Sequence, residues 1–153
     1  MTIYLIRHAN AGVRGSDPND LERPLDPTGQ TQAADIADRF ADAGISRVLT
    51  SRATRCSQTV GPLAARLSLP VEDHPALLEG QSARAAVDLC RDLARDDVTA
   101  ALCSHGDIIP DAIQTLAREG MVISGQRGWA KGSTWKIEVK GGDPVLAEFL
   151  GPF

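Results

Sequence analysis

Short apolar segments alternate along this chain with longer segments whose apolar residues recur at helical spacing. Residues 2–7 form a continuous apolar run, typical of a strand buried on both faces, and residues 45–50 and 98–104 are also strand-like. Strands that alternate with helices in this way usually pair in parallel, with helices packed over the sheet. The sequence therefore predicts an α/β fold of three layers, α/β/α, with a mostly parallel central sheet.

The predicted helices are bounded by residues that favour helix ends. The first helix begins at Asp26-Pro27-Thr28 and stops at Gly44, and the second follows a cap at Ser51 and covers about 52–67. The third follows a cap at Ser82 and extends to about Arg95, and the fourth begins near Pro110 and ends at Gly120. Other segments are predicted strands (71–72, 133–139, 145–150), a loop (8–25) and an irregular stretch (74–81). No repeat or linker divides the chain, so a single domain over residues 1–153 is expected.

Composition argues against nucleic acid and membranes as partners. The chain carries 16 Lys and Arg against 20 Asp and Glu, a net charge of −4. The arginines are scattered rather than gathered into the basic stripe of a nucleic-acid binder. No apolar run approaches the roughly 20 residues that span a bilayer. The N-terminal segment is predicted to be a strand, not a signal peptide.

Cysteine usage points to a reducing compartment. Cys56, Cys90 and Cys103 form no CxxC pair and leave an odd number, so neither a disulfide framework nor a zinc site is expected. We expect three reduced thiols that pack in the core of a cytoplasmic protein. The sequence carries no signal for an oligomeric state.

Two histidines and two arginines follow predicted strands. Arg7 and His8 end the first strand, Arg55 lies one turn into the helix after the second, and His105 follows the strand at 98–104. Because ligands of open α/β sheets bind outside the carboxyl ends of strands, these side chains are expected to meet in one crevice. Guanidinium groups present paired donors that suit a tetrahedral dianion such as phosphate.

These residues belong to an ordered set of motifs that resembles the histidine phosphatase superfamily. In chain order the motifs are Arg7-His8-Ala9, Leu25-Asp26-Pro27-Thr28-Gly29, Ser51-Arg52-Ala53-Thr54-Arg55-Cys56-Ser57-Gln58-Thr59 and Ser104-His105-Gly106. The resemblance implies a phosphoglycerate mutase-like fold and, from the short length, the small branch that contains phosphohistidine phosphatases. The runs RHANAG, SRATRCSQT, LLEG, CSHGDIIP and KGSTW are also similar to the phosphatase domain that follows a Nudix hydrolase in some actinobacterial proteins.

The resemblance implies a metal-independent phosphatase with a covalent phosphohistidine intermediate on His8. A neutral His8 ring would attack phosphorus through one nitrogen, while a backbone carbonyl holds the other N–H. Arg7, Arg55 and a protonated His105 would balance the charge of the phosphoryl oxygens. No metal and no cofactor are expected, because these groups supply the positive charge.

The proton for the leaving group is assigned to Glu79, which matches the position of the acid in many family members. Asp107, two residues after His105, is the alternative acid, although a carboxylate there also suits the N-terminus of a helix. Arg14, in the loop after His8, is a candidate to bind a substrate phosphate or carboxylate, and Lys131 is a candidate for the rim of the pocket; the alternative for both is a solvated side chain.

The expected substrate is a phosphorylated small molecule, such as a nucleotide or metabolite, or a phosphohistidine protein. Two alternatives stay open: a phosphotransferase or mutase of the same family, and a non-catalytic module that binds phosphoproteins. A metallohydrolase is disfavoured because the histidines show no HExxH or comparable spacing. A serine hydrolase is disfavoured because no GxSxG occurs and Ser104 directly adjoins His105.

Overall fold

The computed structural model describes residues 1–14 and 20–152, within which four α-helices and seven β-strands form an α/β fold. In chain order the elements are β1 (Thr2–Arg7), α1 (Pro27–Phe40), β2 (Arg47–Thr50), α2 (Thr54–Leu67), β3 (Val71–Asp73), α3 (Ala83–Arg95), β4 (Ala100–Ser104), α4 (Ile109–Arg118), β5 (Val122–Ser124), β6 (Thr134–Lys140) and β7 (Asp143–Leu150). A 3-10 helix, Pro75–Leu77, precedes α3. Residues 15–19 of the predicted loop lie outside the described residues.

The strands form one sheet in the order β3-β2-β4-β1-β6-β7-β5 across the described residues. The pairs β1–β4, β2–β4, β2–β3 and β5–β7 are parallel, and β6 pairs antiparallel with β1 and β7. The prediction of a mostly parallel sheet is therefore confirmed. None of the described helices is long and apolar enough to cross a bilayer.

Alternate side chains of β1 enter two different cores. Ile3 and Leu5 pack with α3 and α4, whereas Tyr4 and Ile6 pack with α1 and α2. All four side chains are at most 7% exposed. Helices thus cover both faces of the sheet, which explains why the run over residues 2–7 is continuously apolar and confirms the three-layer prediction.

The carboxyl ends of β1, β4 and β2 lie side by side. In the parallel register Arg7 is opposite Ser104, and Thr50 is opposite Cys103. The first peptide after each strand continues this pairing, because His8 N donates to Ser104 O at 3.0 Å and Ser51 N donates to Cys103 O at 3.0 Å. The residues that follow the three strands are therefore delivered to one edge of the sheet.

The predicted helix cap at Ser51 is wrong. The helix α2 begins at Thr54, and Ala53 occupies the N-cap position without a side-chain capping bond. The hydroxyl of Ser51 lies 2.8 Å from Nε2 of His105. The same hydroxyl accepts from Ala53 N at 3.3 Å, so it binds one local backbone group and one distant side chain without capping α2.

One helix end, one capping bond and one short strand also differ from the predictions. The helix α1 ends at Phe40, before a turn that leads to Gly44 with a φ of +76°. Ser82 occupies the N-cap position of α3, but its side chain makes no capping bond. The strand β5 was not predicted, since three residues are too few to show a period.

The loop after His8 is tied to the N-terminus of α1 through Asp26. One carboxylate oxygen accepts from Gly29 N at 2.7 Å, and the other accepts from Asn10 Nδ2 at 3.2 Å and Gly12 N at 3.1 Å. Gly29 lies so close to this loop that a Cβ there would be 1.9 Å from Asn10 O. The first turn of α1 therefore positions the segment that carries His8.

We expect Gly29→Ala to lower the free energy of unfolding by about 1–3 kcal/mol, because the added methyl group overpacks this contact. Urea unfolding monitored by circular dichroism measures the change. Gly61→Ala in α2 is the matched control, since nothing lies within 4 Å of a Cβ there. Helix propensity alone predicts a stability gain of about 0.5–1 kcal/mol for this control, and equal effects of the two substitutions would contradict the packing argument.

Candidate active site

His8 is held as one tautomer by the backbone. Its Nδ1 lies 2.8 Å from Ala9 O, and the residue is 6% exposed. Because a carbonyl oxygen only accepts hydrogen bonds, Nδ1 carries the proton and Nε2 keeps a lone pair. A backbone carbonyl thus holds one N–H of the His8 ring, the arrangement that the resemblance implies.

The pKa of His8 is lowered to about 3. Burial is the largest cause, and the nearby charges of His105, Arg55 and Arg7 act in the same direction, against the bond to Ala9. The ring is therefore neutral at physiological pH, as a nucleophile requires.

His105 lies against His8 in an edge-to-face contact. The ring centroids are 5.5 Å apart, the interplanar angle is 62°, and His105 is 1% exposed. Its Nδ1 is 3.4 Å from Arg55 Nη2, and its Nε2 is 2.8 Å from Ser51 Oγ. The His105 ring thus lies within hydrogen-bond distance of both the guanidinium of Arg55 and the hydroxyl of Ser51.

Arg55 crosses the site from the first turn of α2, with its side chain only 2% exposed. Its Nη2 lies 2.9 Å from Glu79 Oε2, and its Nη1 donates to the backbone carbonyl of Asp20. Its Nε is buried without an acceptor among the described residues. Both terminal nitrogens of Arg55 are thus engaged, whereas its Nε–H has no acceptor among the described residues.

Arg7 leaves the end of β1 and donates through Nη1 to Trp129 O at 2.7 Å. Its Nε is also buried without an acceptor in the described part of the chain. Burial lowers the pKa of Arg7, opposed by the charge of Glu79, and a guanidinium stays charged at neutral pH. Gly106 makes room for this group, since a Cβ there would lie 2.7 Å from the guanidinium carbon.

Glu79 enters the site between two arginines. Its Oε1 lies 3.3 Å from Arg14 Nη1, and its other oxygen binds Arg55. The next residue, Gly80, donates its N–H to Asp107 Oδ2 at 2.9 Å. The structure therefore brings Glu79 and Arg14 to the arginine cluster and places Asp107 behind the turn that carries Glu79.

A cavity of about 300 Å³ opens over these groups. Its lining residues are Arg14, Leu21, Arg52, Arg55, Leu78, Glu79, Gly80 and His105. Arg7 and His8 do not line it, and His8 adjoins it through the ring of His105. Four of the six predicted site residues thus line one cavity, and His8 is in ring contact with one of them, His105.

Sequence reasoning missed Asp20, which is 4% exposed. Its carboxylate accepts from Arg23 Nη2 at 2.8 Å and lies 3.7 Å from Arg55 Nη1 and 3.6 Å from Arg14 Nε. The bond from Arg23 is the main reason that the pKa of Asp20 is lowered. An aspartate in a loop rich in Gly, Pro and Asn has no sequence spacing that predicts a role in the site. Only its contacts in the structure identify it as part of the site.

Thr59 links two parts of the site. Its Oγ1 accepts from Ala9 N at 2.9 Å and donates to Arg55 O at 2.6 Å. This threonine closes the motif over residues 51–59, so the motif could have pointed to it. It fixes the backbone beside His8 to the first turns of α2.

Lys131 does not line this cavity, contrary to the expectation that it lies at the rim. Its neighbour Gly132 instead donates its N–H to the carbonyls of Arg7 and His8, at 3.2 Å each. The turn that contains Lys131 thus packs on the backbone at the end of β1. The KGSTW motif thus supports the backbone of the site, and none of its residues lines the cavity.

The cysteines are free and buried. Cys56 and Cys103 pack with α1 and α2, and Cys56 Sγ lies 3.5 Å from His105 Nε2. Within residues 1–14 and 20–152, no group of three or more His, Cys, Asp or Glu side chains is placed to hold a metal ion.

The burial of His8 predicts a specific pH dependence of stability. The unfolded chain takes up a proton on this ring below about pH 6.5, whereas the folded ring stays neutral to about pH 3. Stability therefore falls as the pH is lowered through this interval, with a slope approaching ~1.4 kcal/mol per pH unit from this residue. We expect His8→Asn, which keeps a donor for Ala9, to flatten the slope in urea unfolding between about pH 4 and pH 6. An unchanged slope would contradict the assignment.

Two comparisons relate the sequence to known proteins. The model of the histidine phosphatase superfamily (branch 1) matches residues 3–82. An 8-oxo-(d)GTP phosphatase of Mycolicibacterium smegmatis is 30% identical over an alignment of 155 positions, which covers 99% of this chain and 48% of that protein. A Mycobacterium tuberculosis protein is 46% identical over 55 residues, 36% of this chain and 27% of that protein. The chain spans about half the length, or less, of these relatives.

Solved structures share the fold. The protein histidine phosphatase SixA complexed with tungstate has a TM-score of 0.71 and 20% identity, covering 99% of this chain and 95% of that one. A mycobacterial glucosyl-3-phosphoglycerate phosphatase has a TM-score of 0.72 and 15% identity, covering 97% and 96%. The family model covers more than half of the sequence. The resemblance of the motifs is thereby confirmed, and the chain belongs to the histidine phosphatase superfamily (branch 1).

Proposed function

We propose that this chain is a metal-independent phosphatase in which Nε2 of His8 takes the phosphoryl group of a phosphomonoester or phosphoramidate. The observation that carries the proposal is the state of His8, a buried neutral imidazole whose Nδ1 is tied to Ala9 O. Its remaining nitrogen keeps a lone pair within range of two guanidinium charges. Such a ring is a nucleophile for phosphorus, and the guanidinium groups favour an anionic substrate beside it.

The orphaned donors of Arg7 and Arg55 support an anion site. Each guanidinium keeps a buried Nε–H without an acceptor among the described residues. An unsatisfied buried donor costs about 1–3 kcal/mol, more for a charged group, so a native structure that keeps two needs a reason. Phosphoryl oxygens supply acceptors of suitable charge and geometry.

In the first step His8 Nε2 attacks phosphorus, and the bond from phosphorus to the leaving oxygen or nitrogen breaks. Glu79 gives its proton to that atom, so the leaving group departs neutral. The positive charge that develops on the imidazole is stabilised by the Nδ1–H bond to Ala9 O. Arg7, Arg55 and His105 hold the phosphoryl oxygens.

Before substrate binds, the carboxylate of Glu79 occupies part of the anion site. It lies between Arg55 and Arg14, where phosphoryl oxygens would find donors. A phosphate that takes over Arg55 removes a cation from Glu79 and brings an anion next to it. Both changes favour the protonated carboxyl that the first step requires.

In the second step water attacks the phosphorus of the phosphohistidine. The carboxylate of Glu79 accepts one proton of this water, the bond from Nε2 to phosphorus breaks, and its electron pair returns to the ring. Inorganic phosphate leaves, and both His8 and Glu79 are restored to the states in which they began. The same carboxyl group thus serves as acid and then as base.

A nucleotide is the substrate class that a specific observation favours. The M. smegmatis relative named an 8-oxo-(d)GTP phosphatase aligns with 99% of this chain. The alternative from the motifs is a phosphohistidine protein. Phosphate release from nucleoside di- and triphosphates, sugar phosphates and a phosphohistidine peptide, measured side by side, distinguishes these classes.

We expect the wild-type chain to hydrolyse phenyl phosphate in excess chelator, because arginine side chains supply the positive charge. His8→Ala is expected to lower kcat/KM on the order of 10³-fold or more, since it removes the nucleophile. Rapid quenching with labelled substrate is expected to trap a phosphoryl group on the wild-type chain and none on His8→Ala.

The matched control is Arg66→Ala in the last turn of α2, where the side chain pairs with Asp38 at the surface. This control is expected to retain wild-type activity. Full activity of His8→Ala, or loss of wild-type activity in chelator with recovery on adding a divalent metal, would overturn the proposal.

The role of Glu79 predicts a dependence on the leaving group. We expect Glu79→Gln to lower kcat/KM on the order of 10²-fold for an alkyl phosphate and much less for a nitrophenyl phosphate, which needs little protonation to leave. Steady-state kinetics on the two substrates measures the difference.

Asp107→Asn is the control for the alternative acid. It keeps an acceptor for Gly80 N, so any loss is expected to be equal for the two leaving groups. Equal losses in Glu79→Gln, or a loss confined to the alkyl phosphate in Asp107→Asn, would show that Glu79 is not the acid.

A further inference from the structure

Two cavities meet at Arg52 and Leu78. The first is the cavity over Arg55 and His105 described above. The second has a volume of about 330 Å³ and is lined by Arg52, Asp73, His74, Pro75 and Leu78. Arg52 and Leu78 line both. The two cavities are therefore adjacent, and Arg52 and Leu78 lie between a phosphoryl group placed by Arg55 and the second cavity.

Arg52 differs from the other arginines of the first cavity. Arg14 and Arg55 are both paired with Glu79. Arg52 is exposed and has no hydrogen bond or ion pair to any residue of the described ranges, although Asp73 shares the second cavity with it. No ion pair or hydrogen bond within the described residues therefore explains why a guanidinium lies at the junction of the two cavities.

We propose that Arg52 binds a second anionic group, carried by the leaving group of the phosphorylated substrate. This proposal rests on the proposed phosphatase function and names its substrate class: a phosphoester or phosphoanhydride with a further phosphate or carboxylate. A guanidinium offers paired donors to either anion and remains charged at every physiological pH.

The backbone around Arg52 suits this role. Ser51 is fully buried and its hydroxyl binds His105, and Ala53 is also fully buried. The residue between them is therefore anchored on both sides while its own side chain is exposed. An anchored backbone limits the freedom that Arg52 loses when it binds an anion.

The second cavity accepts the rest of the leaving group. Pro75 and Leu78 supply apolar surface. His74 Nδ1 accepts from Ala76 N at 3.1 Å, so a neutral ring carries its proton on Nε2 and can donate. The carboxylate of Asp73 repels an anion placed deeper, so the second anionic group is held at Arg52, at the junction, and an uncharged portion lies beyond it.

The test compares three substrates that share the transferred group: phenyl phosphate, which has no second anion, and carboxyphenyl phosphate and pyrophosphate, which each have one. We expect kcat/KM of the wild type for at least one anionic substrate to exceed that for phenyl phosphate by about tenfold, and Arg52→Ala to bring this ratio close to one. Arg52→Lys keeps the charge without the paired donors and is expected to keep part of the preference. Arg66→Ala is the matched arginine control and is expected to keep the wild-type ratio.

The outcomes separate the two proposals. Phenyl phosphate hydrolysis with no preference in the wild type, or with a ratio that Arg52→Ala leaves unchanged, overturns the role of Arg52 and leaves the phosphatase proposal standing. If none of the three substrates is hydrolysed, the phosphatase proposal fails. The role of Arg52 is then tested by measuring anion binding instead of hydrolysis. Calorimetric titration of His8→Ala, with and without Arg52→Ala, is then expected to show pyrophosphate weakened about tenfold more than inorganic phosphate. Equal weakening of the two ligands overturns the role of Arg52.

Discussion

The site depends on a neutral imidazole held inside a concentration of positive charge. Burial, together with the charges of His105, Arg55 and Arg7, lowers the pKa of His8 to about 3. The carbonyl of Ala9 then decides which ring nitrogen keeps the proton. The same cations that keep the ring uncharged are the groups that favour a phosphate beside it, so one environment meets both requirements of the proposed chemistry.

The carboxylates of Asp20 and Glu79 balance these cations, and the difference in their solvent exposure suits them to different roles. Asp20 is held by Arg23, and its side chain is only 4% exposed, whereas that of Glu79 is 32% exposed between Arg55 and Arg14. A buried pair is strongly destabilised when one partner leaves, while a solvated carboxylate exchanges its partner at little cost. Glu79 is therefore the group suited to yield to a substrate phosphate, and Asp20 is suited to keep Arg55 in place.

Local signals predicted much of the fold. The continuous apolar run of residues 2–7 and the cap at Asp26 identified β1 and the start of α1, because both depend on neighbours in the sequence. Ser51 shows where such signals fail. A serine after a strand favours a helix cap, but its hydroxyl lies 2.8 Å from His105, 54 residues further along the chain. A local preference worth ~1 kcal/mol is easily displaced by a long-range bond in a buried site.

The sequence by itself determined the α/β class and the placement of His8, Arg55 and His105 after parallel strands, because hydrophobic period and the geometry of parallel sheets leave little choice. Only the tertiary structure decided which nitrogen of His8 carries the proton, and that Glu79 rather than Asp107 binds Arg55 and Arg14. It also brought Asp20 into contact with Arg55. Each of these depends on a distance of a few ångströms between separate loops, and the spacing of residues along a chain does not encode such distances.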